Sequence, residues 1–100
     1  MLKEKVVFVT GCNKGIGKSI IEKFAKNRAI VYANAREHGS LDSISKKNYG
    51  VGSITPIYFD VTNRTAVRNA FIKIKKEQGR IDCLVNNAGI LVDTLITMLD

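Results

Sequence analysis

One hundred residues make one domain at most, and 45% apolar content is enough for a packed core, which excludes a disordered chain. The net charge of +7 invites a nucleic-acid partner. The lysines, however, are scattered over expected helix faces (Lys23, Lys26, Lys46, Lys47, Lys73, Lys75, Lys76) without the aromatic interleaving of a stacking platform, so they read as solvated surface and no nucleic acid is expected.

Residues 6–10 form a short β-branched and aromatic run, the mark of a strand buried on both faces; it is too short for a signal-peptide core or a membrane span. A glycine-rich segment, residues 11–17, leads into a helix in which Ile16, Ile20, Ile21, Phe24 and Ala25 recur at helical spacing as far as about Asn27. Residues 30–35 read as a second strand, followed by a short helix near 40–47 that carries Leu41 and Ile44. The third strand, 54–59, contains Pro56, which cannot donate to a ladder and so belongs at a sheet edge. Asn63 is placed to cap a helix burying Val67, Ala70, Phe71 and Ile74, with Gly79 as its stop; a fourth strand, 81–85, follows.

This alternation predicts an α/β fold: a Rossmann-type doubly wound parallel sheet with strand order 3-2-1-4 and right-handed crossovers. The fourth strand would then be the other edge, yet it is apolar and carries no gatekeeper within Leu84-Val85. A further apolar pattern (Ile90, Leu91, Leu95, Ile96, Leu99) begins just before Asp100. Residues 1–100 are therefore expected to be the first four strands of a larger sheet, cut before a second half.

Cys12, Cys83 and His38 are too few and too separated for a metal site, so none is expected; two free thiols in a cytoplasmic protein is the reading. The strongest candidate site is Thr10-Gly11-Cys12-Asn13-Lys14-Gly15-Ile16-Gly17, where a strand turns into a helix. A helix N-terminus offers unpaired N–H groups and partial positive charge to a pyrophosphate. Gly11 would allow the tight turn, Gly15 the close approach of a ligand, and Gly17 close packing of the helix. The spacing is G-x-x-x-G-x-G rather than G-x-G-x-x-G, and a plain glycine turn remains the alternative.

Three motifs occur in a familiar order: Thr10-Gly11-x-x-x-Gly15-Ile16-Gly17, then Asp60-Val61 after the third strand, then Asn86-Asn87-Ala88-Gly89 after the fourth. With them the chain resembles the classical short-chain dehydrogenases/reductases along essentially its whole length. The resemblance implies that Gly11, Asn13, Lys14, Gly15, Ile16 and Gly17 form the cofactor loop. It implies that Asp60 binds the adenine amino group while Val61 uses its backbone, that Asn87, Ala88 and Gly89 pass beside ribose and nicotinamide, and that Asn86 ties strands together. Without the family, Asp60 and the asparagines read equally as turn residues. The family's usual glycine before the second strand is replaced by Arg28, so Asn27 is expected to take the left-handed conformation that closes the first helix.

Cofactor choice is expected at the end of the second strand, where a carboxylate suits NAD and an arginine suits a 2′-phosphate. Here the sequence is Asn34-Ala35-Arg36, with Lys14 as a second cation in the glycine loop. Glu37 is the rival, a carboxylate one residue on that is expected to face solvent. NADP(H) is the expected cofactor.

In the resembling family, hydride exchange between a carbonyl and a secondary alcohol uses a serine, a Tyr-x-x-x-Lys pair and a further asparagine, all beyond the Asn-Asn-Ala-Gly motif. Tyr32, Tyr49 and Tyr58 are not followed by lysine at that spacing; Tyr32 is followed by Arg36 at the adenosine side, so no catalytic residue is assigned to this chain. Asp93, Leu95 and Met98 are placed much as in 3-oxoacyl-acyl-carrier-protein reductases, which implies a carbonyl substrate carried by that protein. The expectation is a reductase that is a dimer or tetramer when full length. The alternative is an NADP(H)-binding module or regulatory remnant without turnover.

Overall fold

A computed structural model of the chain describes residues 4–12 and 15–87. Its elements run β1 (Val6–Thr10), α1 (Gly15–Lys26), β2 (Ile30–Ala35), α2 (Asp42–Ser45), β3 (Ser53–Tyr58), α3 (Arg64–Gln78) and β4 (Cys83–Asn86). All strand pairs are parallel and the order is β3-β2-β1-β4, as the sequence predicts.

The continuous apolar run of β1 has its cause in the two layers. Val7 and Val9 face α1, in a core with Ile21, Ala25, Val31, Ala33, Leu41 and Ile54. Val6 and Phe8 face α3, in a core with Tyr32, Val67, Ala70, Phe71 and Ile74. Successive strand residues point to opposite faces, and here both faces are covered. Phe8 and Phe71 meet edge to face at 5.4 Å. The helices lie on opposite faces because the chain moves outward from β1 first one way and then the other, and right-handed crossovers then change sides.

Pro56 sits in β3 opposite Ala33, at the sheet edge where its missing N–H costs least. Asn63 caps α3 by accepting from the Ala66 N–H at 3.1 Å, and Gly79 ends it in the left-handed region at φ 82°. β3 begins one residue earlier than expected and β4 two residues later. At β4 the reason is Asp82: its N–H donates to the Val6 carbonyl, but its carboxylate, not its carbonyl, accepts the Val6 N–H at 2.8 Å. A side chain thus makes the first rung, and the regular ladder starts at Cys83.

The end of α1 corrects one expectation. Arg28, not Asn27, takes the left-handed conformation, at φ 72°. The Ala29 N–H reaches the Phe24 carbonyl and the Arg28 N–H the Ala25 carbonyl, the paired bonds of a Schellman close. Asn27 instead stays at the helix end and donates its side-chain amide to the Lys23 carbonyl at 2.8 Å. Nearby, the turn ending at Gly52 presses on the same helix end: a Cβ there would collide with the Ala25 carbonyl oxygen. Among the described residues, no helix is long and apolar enough to cross a membrane.

Candidate cofactor-binding site

The C-terminal ends of the four parallel strands bring the candidate residues to one edge: Gly11 after β1, Arg36 after β2, Asp60 after β3 and Asn87 after β4. In open α/β sheets, ligands bind at this edge where the strand order reverses, here between β1 and β4.

Gly11 makes the turn out of β1 at φ 66°, a conformation that side chains resist. Its carbonyl accepts from the Asn87 side-chain amide at 2.8 Å, which joins the glycine loop to the exit of β4. Below this bond, the Thr10 hydroxyl donates to Asn86 Oδ1 at 3.2 Å, so Asn86 does link β1 and β4. Gly17 permits a close approach, since a Cβ would lie 2.6 Å from the Gly11 carbonyl oxygen and 2.7 Å from Cys12 Cα. At Gly15 a Cβ would meet nothing within 4 Å, so this backbone face at the start of α1 is open to a ligand. Ile16 is an exposed large apolar side chain beside it. This geometry suits a phosphate cradle: an exposed helix start and a tight glycine turn, with no described side chain over the Gly15 backbone. Cys12 is buried in the same loop, its Sγ donating to the Val9 carbonyl at 3.3 Å. Burial pushes its thiol up to about 12, against a smaller lowering by the backbone bond to Asn34.

Across β2, Arg36 Nε stands 3.6 Å from Asp60 Oδ2. Asp60 is itself oriented by Thr62, whose N–H and hydroxyl both donate to Oδ1, at 2.9 and 2.7 Å. These two bonds, and then the Arg36 charge, hold the Asp60 carboxyl below its ordinary value. Val61 is half-buried against the α3-side core. Glu37 is exposed, as expected. Beside Arg36, His38 stacks on Tyr58 at 5.0 Å; the Tyr58 hydroxyl donates to Asp42 Oδ1 at 2.6 Å and accepts the Leu41 N–H at 2.9 Å. This cluster braces the loop after β2. Asn13, Lys14, Ala88 and Gly89 lie outside the described residues.

Tyr32 does not belong to this edge, contrary to expectation. It is buried in the middle of β2 facing α3, and its hydroxyl donates to Glu77 at 2.7 Å. The sequence reading also passed over Asn34. This residue is buried in β2, yet its side chain bonds to the glycine loop and to the end of β3. Its signal was a polar residue in an otherwise apolar strand, two positions before Arg36.

The profile of the short chain dehydrogenase family matches residues 5–100. The chain is 38% identical over 99 residues to the 3-oxoacyl-(acyl-carrier-protein) reductase FabG of Thermotoga maritima, a match covering 98% of this chain and 40% of that protein. Among solved structures, L-sorbose reductase from Gluconobacter frateurii, complexed with NADPH and L-sorbose, superposes with a TM-score of 0.79 at 33% identity, over 88% of this chain and 34% of that one. A short chain dehydrogenase from Leptospira borgpetersenii with bound NAD+ gives a TM-score of 0.69 at 27% identity, over 85% and 31%. The chain thus spans well under half the length of these relatives. With the four-stranded parallel order, the glycine turn and this match along nearly its whole length, the chain belongs to the short chain dehydrogenase family.

Proposed function

We propose that the chain binds NADP(H) and forms the cofactor-holding part of an oxidoreductase that interconverts a carbonyl and a secondary alcohol. The observation that carries the cofactor choice is Arg36, a side chain 81% exposed at the exit of β2 where a 2′-phosphate would lie. Lys14 would add a second positive charge from the glycine loop. The backbone of Gly11, Gly15 and Gly17, with Asn13 and Ile16 beside it, would hold the pyrophosphate; Asp60 and Val61 would hold adenine. Asn87, Ala88 and Gly89 would border ribose and nicotinamide. When bound, the nicotinamide supplies or takes up the hydride.

The chain's own residues bind and orient; none of its tyrosines has the spacing to lysine that would make a proton donor. The names of the relatives, an acyl-carrier-protein reductase and a sugar reductase, support carbonyl reduction as the reaction class. Within that class we favour no substrate over a 3-oxoacyl group, which the positions of Asp93, Leu95 and Met98 also suit. Two unpaired thiols, Cys12 buried and Cys83 exposed, suit a reducing cytoplasm. A dimer or tetramer is the assembly proposed for the whole protein.

Fluorescence titration with NADPH and NADH tests the cofactor reading. NADPH should bind at least about tenfold more tightly, since a guanidinium–phosphate bond contributes on the order of 1.5–3 kcal/mol. Equal affinities, or a preference for NADH, would overturn the choice of NADP(H). Binding of NADPH without oxidation by any carbonyl, in a protein lacking a Tyr-x-x-x-Lys pair altogether, would favour a binding module instead.

A further inference from the structure

We infer that Asn34 is a positioning residue for the dinucleotide, its buried side-chain amide setting the spacing between the glycine loop and the adenosine end of the site. The inference rests on the NADP(H) reading above. Asn34 is 1% exposed in the penultimate position of β2. Its Oδ1 accepts the Gly11 N–H at 3.2 Å, and its Nδ2 donates to the carbonyls of Phe59 at 3.0 Å and Ile57 at 3.3 Å. Its own backbone carbonyl takes the Cys12 N–H at 2.8 Å. The partners fix the orientation of the amide, because the Gly11 N–H can only donate and the two carbonyls can only accept; a flipped amide would lose every one of these bonds.

One planar group therefore ties three strand exits together. Gly11 opens the loop that would cradle the pyrophosphate. Phe59 directly precedes Asp60, and Arg36 lies two residues along Asn34's own strand. A dinucleotide would touch all three places at once, so its affinity depends on their relative position as well as on each contact. A small apolar residue would serve a buried strand equally well if packing were the only demand. The buried amide is instead spent on the loop and on β3, where fixing geometry before binding removes an ordering cost.

The test uses the full chain with two probes: NADPH, which spans the site, and adenosine 2′,5′-bisphosphate, which reaches only the adenosine end. Asn34→Ala removes all the side-chain bonds; Asn34→Asp keeps an acceptor for Gly11 and loses both donors. Tyr32→Phe is the control, deleting the hydroxyl bonded to Glu77 and Gln78 at the C-terminal end of α3, two residues back on the same strand face and away from the strand exits. NADPH should bind about tenfold more weakly to folded Asn34→Ala, as expected for leaving a buried donor unsatisfied. Asn34→Asp should fall between it and the parent, the bisphosphate should lose less than NADPH in both, and Tyr32→Phe should bind normally even where its melting temperature drops as far. Unchanged NADPH binding, equal losses for both probes, a matching loss in Tyr32→Phe, or failure of both Asn34 variants to fold would each overturn the inference. A parent protein that binds neither probe would overturn the NADP(H) reading itself.

Discussion

The guanidinium of Arg36 and the carboxylate of Asp60 face one another across the exits of β2 and β3, Nε to Oδ2 at 3.6 Å. Both side chains are substantially exposed, so the pair is screened and easily broken, and a phosphate could take the arginine without large loss. Arg36→Ala should therefore cost NADPH about ten- to a hundredfold in affinity and leave NADH nearly unchanged. Parallel titrations of both cofactors read the difference directly, and equal losses would sink the phosphate assignment.

Gly15 and Gly17 should respond to alanine in opposite ways. At Gly15 the added methyl meets no atom of the described residues within 4 Å, so the fold should hold while the methyl obstructs the pyrophosphate. At Gly17 it would press on the Gly11–Cys12 backbone, and the fold itself should lose about 1–3 kcal/mol, the usual cost of overpacking. Urea denaturation beside NADPH titration separates the two; a Gly17→Ala protein as stable as its parent would contradict the close approach.

Arg28 occupies a left-handed position that glycine adopts freely. Arg28→Gly should raise stability by about 1 kcal/mol, part of the left-handed penalty being offset by the greater entropy of glycine in the unfolded chain. A lowered denaturation midpoint would mean that the arginine side chain contributes more than its backbone costs.

Asp82 links stability to pH. The Val6 N–H, and after it Arg80, hold its carboxyl below the ordinary 3.8. A carboxyl lowered in the folded state stabilises fully above its unfolded value, and that contribution disappears as pH falls through the folded one. The parent should thus lose stability below about pH 4, and Asp82→Asn should lose less over the same interval. Denaturation midpoints measured from about pH 6 down to about pH 2.5 check this, and identical slopes for the two proteins would refute it.

Most of the frame was legible because its causes are local. Strand and helix alternation gave the order of the sheet, Pro56 marked an edge, and Asn63 and Gly79 bounded α3. The glycine turn and Arg36 stand out because each follows directly on a strand end, whereas Asp60 reads as a turn residue until the family resemblance singles it out. Asn34 was missed because its partners, Gly11, Ile57 and Phe59, become its neighbours only through the register of three strands. Arg28 was misjudged for a related reason. Propensity favours asparagine in the left-handed region, but the Schellman bonds of Phe24 and Ala25 decide which residue must enter it. Asp82 likewise reads as an ordinary turn residue until its carboxylate is seen to replace a rung of the ladder.

The burial of Cys12 also gives the protein an unequal pair of chemical handles. The thiolate is the nucleophile, and a thiol raised to about 12 with no solvent-exposed surface supplies almost none of it at neutral pH. Cys83 is exposed at the first position of β4. In the 100-residue chain a maleimide should therefore add once when folded, at Cys83, and a second time only on unfolding. The one accessible thiol could carry a fluorophore at the foot of β4, leaving the glycine turn untouched, and Cys12 would serve as a built-in reporter of unfolding.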